Sequence, residues 1–190
     1  MAMFQQADHL PLICQYLVSI QPTVDNTTVR NAYHDLLIQE EDYEALRTSV
    51  DTYTSFDSLA LAHQLTSHVL FEFRYLAAHL FKRHQIWHES VILSKQDRLD
   101  DAMDTVAESG DKQLAEELLW FLAELGNKEG FMTCLCVCYD LIQPDMVMEL
   151  AWRHGMHDVA MPYIVQVTRG FMATIEMLEG KVQEIDVLKK

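Results

Sequence analysis

Cys134, Cys136 and Cys138 are the densest group of potential metal ligands in the chain. Thiolates bind zinc tightly, but a structural zinc site needs four ligands converging on one point. On a helix, Cys134 and Cys138 share a face and Cys136 turns away, and no second Cys or His pair stands nearby at ligand spacing. Small core thiols are the better reading, because free cysteine is among the most buried residue types. His84 and His88, with His79 just before them, are spaced like neighbours on one helical turn, which is the spacing that can hold a divalent ion or respond to mild acid. Lys82, Arg83 and Glu89 mark this stretch as solvent-facing, so ordinary surface histidines are expected. Eight carboxylates (Asp97, Asp100, Asp101, Asp104, Glu108, Asp111, Glu116 and Glu117) stand against Arg98 and Lys112. They read as the solvated face of a helix hairpin, with an acidic docking strip for a basic partner as the functional alternative. No nucleophile comes with a base and an orienting group, and there is no phosphate-cradling glycine loop, serine elbow or zinc-protease helix motif. No catalytic residue, metal site or cofactor is expected, and the chain reads as a non-enzyme.

What must position these residues is a set of helices. The chain has 190 residues, 49% of them hydrophobic and 23% charged, which is the balance of a globular protein long enough to bury a core. Six glycines and four prolines are too few for loop-rich or most all-β designs, whose turns and bulges consume those residues. A formal charge of −15 argues against nucleic acid and against anionic membrane surfaces, both of which select basic faces. No apolar run approaches the ~18 residues that span a bilayer, so no membrane insertion is expected. The first cation is Arg30 and the first lysine Lys82, so the N-terminus lacks the basic residues of a signal or transit peptide, and a cytoplasmic location with reduced thiols is expected.

Apolar residues recur at three and four, as in Leu114, Leu118, Leu119 and Leu122, and this predicts an all-α chain. Breaks are expected at Gln21-Pro22, Thr54-Ser55, Ser109-Gly110-Asp111, Gly126-Asn127, Gln143-Pro144-Asp145 and His154-Gly155, with Asp57, Asp111 and Asp145 as side-chain caps. Shifted by 45 residues, Met103 falls on Met148, Val106 on Ala151, Gly110 on Gly155, Ala115 on Ala160 and Leu118 on Tyr163. A helix, a glycine turn and a second helix with an alanine at the close approach is what a helix-pair repeat requires, and the interval is that of helical solenoids. After the last repeat a long helix is expected, with Asp158 as its cap and Pro162 in its first turn. Its apolar stripe is Tyr163, Val167, Phe171, Ile175 and Leu178, continued by Val182, Ile185 and Leu188. The stripe outlasts the repeat it covers, and a leftover apolar face needs another chain.

Several segments resemble the clathrin heavy-chain family: Glu41-Asp42-Tyr43-Glu44-Ala45-Leu46-Arg47-Thr48-Ser49 with Phe56-Asp57, Phe71-Glu72-Phe73-Arg74, Asp101-Ala102-Met103, Ala115-Glu116-Glu117-Leu118-Leu119, Cys138-Tyr139-Asp140-Leu141, Ala151-Trp152-Arg153-His154 and Ala160-Met161-Pro162-Tyr163. The resemblance runs in order from about Leu10 to about Leu178. It implies an α-α solenoid with residues 1–140 as the end of a proximal leg and 141–190 as a trimerisation hub, in a coat that shapes vesicles in endocytosis and trans-Golgi traffic. By the same resemblance Tyr163, Val167, Phe171, Ile175 and Leu178 serve trimerisation, either as a homotrimer or with a full-length heavy chain. Lys82, Arg83 and Trp87 would meet a clathrin light chain. The family is richer in lysine around Trp87 than the Lys82–Glu89 stretch here, so weakened light-chain binding is expected. The family's N-terminal propeller and flexible tail have no counterpart in this sequence. The alternative reading is a monomeric acidic adaptor whose helical groove takes a basic or helical peptide.

Overall fold

The computed structural model describes residues 16, 17, 19 and 26–188, with the side chains of 184–188 excepted. Cys14, the Gln21-Pro22 break and the side chains of Ile185 and Leu188 therefore lie outside the described residues. Ten helices, nine of ten residues or so and one much longer, make up the described chain, and there is no strand among those residues. It divides into two compact units, residues 1–97 and 98–190.

The first unit holds α1 (Thr27–Gln39), α2 (Tyr43–Thr52), α3 (Ser58–Leu65), α4 (Phe71–Arg83) and α5 (Trp87–Asp97). Side-chain oxygens of Asn26, Asp42 and Asp57 accept from the backbone N–H of Thr28, Ala45 and Ala60 at 2.9–3.1 Å, which satisfies donors that have no partner inside the helix. Leu36, Leu46, Leu65, Phe73, Leu80 and Phe81 form the centre of one apolar core. Arg74 ties two parts of this unit together. Its guanidinium donates to the carbonyls of His68 and Val69 at 3.0 and 2.8 Å and grips the Asp97 carboxylate at 2.9–3.1 Å, so the loop before α4 and the end of α5 share one anchor.

Residues 1–97 contain no glycine, yet two helix ends in this unit turn left-handed. Glu41 (φ 57°) and Gln85 (φ 60°) adopt the left-handed conformation themselves. In each case the next N–H reaches back five residues, Asp42 to the Leu37 carbonyl and Ile86 to the Phe81 carbonyl, both at 3.0 Å. This is the Schellman closure that usually employs glycine, and a side-chain-bearing residue adopts it at a cost of about 1–2 kcal/mol.

The second unit holds α6 (Leu99–Ser109), α7 (Lys112–Glu124), α8 (Lys128–Val137), α9 (Pro144–His154) and α10 (His157–Leu188). The repeat is visible in its boundaries: α6 and α9 begin and end 45 residues apart, and so do the starts of α7 and α10. Gly110 and Gly155 both turn left-handed, at φ 66° and 67°, and Ala115 and Ala160 are both fully buried. Met148 departs from its counterpart, exposed where Met103 is buried. Asp111 caps α7 through the Gln113 N–H, as expected. Asp145 does not cap α9, because Gln143 and Pro144 start that helix and Asp145 is already inside its first turn. In both units helices consecutive in the chain pack on one another in pairs, consistent with the construction of an α-α solenoid.

Candidate functional site

Helix α10 runs for 32 residues, about 48 Å at the standard rise. It starts at His157, earlier than the sequence implies. Asp158 thus lies within the first turn and not at the cap, and Pro162 falls inside the helix, in its second turn. Proline there removes one helix N–H, but Pro162 and Asp158 are both exposed, so water can serve the carbonyl left over. The Asp158 carboxylate instead meets Lys128 Nζ at 2.9 Å, and this contact holds its pKa below the usual carboxylate value.

The two ends of α10 have different surroundings. Near the start, Ala160 and Tyr163 are buried against α8 and α9. The Tyr163 hydroxyl donates to the Ile142 carbonyl at 2.8 Å, and its ring meets that of Tyr139 edge-on, centroids 5.3 Å apart. Burial, with Tyr139 and Asp140 nearby, raises the Tyr163 pKa. Val167 is half-buried, and from Thr168 to the last described side chain every residue is exposed. Phe171, Ile175, Leu178 and Val182 are 48–61% exposed, spaced four, three and four apart on one stripe. Of the five stripe residues, the structure assigns Tyr163 to the hairpin's own core, leaves Val167 at the boundary, and presents Phe171, Ile175 and Leu178 to solvent. Alternating steps of three and four are the seam of a coiled coil. Where α10 leaves α8, an apolar groove of about 350 Å³ opens between Met132, Tyr139, Val159 and Pro162, with the exposed Cys136 at its edge.

In the first unit, Lys82 and Arg83 end α4 and Trp87 begins α5, so the bend at Gln85 brings the three together. Trp87 and Lys82 are half-buried and Arg83 is exposed. Arg47 of α2, paired with Asp51, joins Lys82 and Arg83 in the field felt by His79, whose pKa burial lowers, Asp51 opposes, and the charges of Arg83, Arg47 and Lys82 lower further. The linear sequence offers no sign of Arg47, which is 35 positions upstream of Lys82 and joins that field only through helix packing.

The histidine pair does not form. His84 closes α4 and shares a hydrogen bond with Ser58 Oγ at 2.6 Å, while His88 is on α5. The chain turns between them, so the spacing of one helical turn has no helix to act on. Cys134 and Cys138 are buried and Cys136 is exposed, the arrangement their spacing implies. A hydrogen bond with Cys138, reinforced by burial, pushes the Cys134 thiol up, which keeps it protonated. Among the described residues no three His, Cys, Asp or Glu side chains are placed to hold a metal ion, and no described helix is long and apolar enough to cross a membrane. In the acidic stretch, Asp100, Asp104, Glu108, Asp111 and Glu117 are exposed on the α6–α7 hairpin.

A family model, the region in clathrin and VPS, matches residues 1–129. Human clathrin heavy chain 2 is 49% identical over 179 residues, covering 93% of this chain and 11% of its own length. The clathrin heavy chain of Drosophila melanogaster is 45% identical over 177 residues, 93% of this chain and 10% of that protein. Clathrin heavy chain 1 of Arabidopsis thaliana is 42% identical over 181 residues, 94% and 11% respectively. The chain therefore spans about a tenth of the length of the relatives it matches. An all-helical chain with a 45-residue hairpin interval, matched over most of its length by that family model, belongs to the clathrin family.

Proposed function

We propose that this chain is a non-enzymatic scaffold segment of a clathrin-type coat, acting in vesicle-mediated transport and endocytosis at the cytoplasmic face of coated pits and vesicles. Residues 1–140 supply the end of a solenoid leg and 141–190 the hub. The observation that carries this reading is the far half of α10, whose apolar stripe Phe171, Ile175, Leu178 and Val182 has no partner among the described residues of its own unit. Three copies related by cyclic symmetry would cover such a stripe, each helix giving its seam to the next. Tyr163 supports the interface from behind by fixing the root of the helix on Ile142. The partner is a second and third copy, or a full-length heavy chain. Arg47, Lys82 and Arg83 beside Trp87 form the surface for an acidic light-chain helix. That surface is a local positive field on a strongly acidic protein, so binding there is weak and salt-sensitive.

Light scattering on the purified chain tests the hub. A mass of three times 22.0 kDa, reduced to one by Phe171→Asp with Ile175→Asp at unchanged helicity, supports it. A monomer at tens of micromolar removes the hub and leaves the acidic adaptor reading.

A further inference from the structure

The second unit repeats its hairpin without repeating the helix that covers it. Helix α8 packs on both α6 and α7, and α9 with the first turns of α10 is the same hairpin 45 residues on. No such cover follows among the described residues, because α10 runs straight on to Leu188. Burial records the difference. Val147, Leu150, Ala151, Ala160 and Tyr163 are buried, as are the residues 45 positions before each of them. Met103, Leu119, Leu122 and Ala123 are at most 2% exposed, whereas of their counterparts Met148 is 49% exposed, Ile164 and Val167 are half-buried and Thr168 is exposed. Leu122 lies directly under α8, its Cδ2 3.0 Å from where a Cβ on Gly130 would stand. The unit therefore ends in an open apolar face of the kind that α8 closes.

The far half of α10 has the pattern that such a face takes. Helix α8 and its cap bury Phe131, Cys134 and Cys138, at steps of three and four. Lying 44 residues on, Ile175, Leu178 and Val182 keep those steps and are 48–57% exposed. The fit extends to two neighbours. Thr174 stands where Gly130 does, and Val167, one carbon shorter than Leu122, leaves room for its Cβ. Leu135 lines the groove beside α10, on the side away from the covered hairpin, so Glu179 in its place would face water. A copy cannot close its own end, since Ile175 lies about 12 Å beyond Val167 along one straight helix.

We propose that the open end formed by Met148, Ile164, Val167 and Thr168 receives the stripe Ile175, Leu178 and Val182 of a second copy of this chain, lying across it as α8 lies across α6 and α7. The proposal rests on the hub reading and specifies its contact: the stripe meets a neighbour's hairpin and not a neighbour's stripe. Each copy gives one helix and takes one, and a head-to-tail contact of that kind is complete only when it closes as a ring.

The test uses two variants of the full chain, each spoiled on one side. Met148→Asp with Thr168→Asp alters the open end at two exposed positions, and Ile175→Asp with Leu178→Asp alters the exposed stripe. Unchanged helicity verifies both folds. Each pair should raise the concentration at half-assembly, read by light scattering, by about tenfold or more. Mixing the two variants decides the contact. The isotope-labelled stripe variant keeps its open end and the unlabelled end variant keeps its stripe, so saturable amide shifts near 148 and 164–168 are expected. None should appear when unlabelled stripe variant is added in its place. A wild type that is monomeric at tens of micromolar removes the hub and this contact together. A trimeric wild type whose end variant assembles equally well, or whose variants give no shift on mixing, leaves the hub standing and overturns the contact, because the stripes then pair with one another or with a different protein.

Discussion

Acid should loosen the first unit through one residue, His34. Burial favours its neutral form, with the nearby Asp35 carboxylate opposing and the Arg30 charge assisting, and its pKa falls from 6.5 to about 4. The sign follows from which state takes the proton first. In the unfolded chain His34 protonates near pH 6.5, whereas the folded unit resists until about pH 4. Stability from this residue is complete above pH 6.5, drains away as pH falls toward 4, and is lost altogether below that. At about 1.4 kcal/mol per pH unit the total is about 3 kcal/mol, a large share of what a domain possesses. The assay is urea unfolding of the wild type and His34→Asn between pH 7.5 and 4.5. Trp87 is the only tryptophan in residues 1–97, so a Trp120→Phe, Trp152→Phe background makes its fluorescence report this unit alone. The many carboxylates titrate alike in both proteins and cancel. Wild type should lose about 2–3 kcal/mol more than the variant over that range, even though the variant begins less stable for want of the Ser49 contact. Parallel curves would show that His34 is solvated in the native protein and would refute the burial argument.

Ala115→Glu should cost the second unit about 3 kcal/mol or more by burying an unpaired charge at a fully buried site, whereas Asp101→Glu should leave its melting nearly unchanged. Gly110→Ala and Gly155→Ala should each lower stability by about 1–2 kcal/mol through backbone strain alone, since an added Cβ meets no atom within 4 Å, and Gly→Asn at the same sites should cost less in the same denaturation series. Gly170→Ala with Gly180→Ala should raise helicity by circular dichroism, each favouring the helix by about 1 kcal/mol. In dilute monomer these changes should leave the cooperative melt where it was, because no packed contact joins that stretch to the unit's core, and amide exchange should place the gain beyond residue 168.

Breaks with a glycine in them were legible in the sequence, since Gly110, Gly126 and Gly155 all turn left-handed where a helix ends. The ends at Glu41 and Gln85 were not, because there tertiary packing imposes the same conformation on residues whose types do not announce it. His84 and His88 are exposed, as surface histidines are expected to be, but their apparent shared turn has the same cause: with the Gln85 turn unseen, two residues on different helices look like neighbours on one. Pro162 misled in the opposite direction, since proline is read as a start signal and here sits within a helix that tolerates it on its wet side. The apolar stripe of α10 was readable as a period, but which part of it is used up internally depends on where α8 and α9 lie, and only the fold reveals that Tyr163 is consumed and Phe171 is not. Arg47 joins Lys82 and Arg83 through the stacking of α2 on α4, which no linear pattern encodes.

The constant interval between the two hairpins bears on how such a chain can change length. Each residue added to a helix rotates everything after it by about 100°, so an arbitrary insertion swings the next apolar face toward water. Removing or duplicating a whole interval, from Leu99 to Gln143 for example, returns the following helix to the same phase, the same left-handed glycine and the same alanine at the close approach. Length in this architecture is therefore free to vary in steps of one hairpin pair and resists variation in between, which makes the repeat a unit of inheritance as well as of folding.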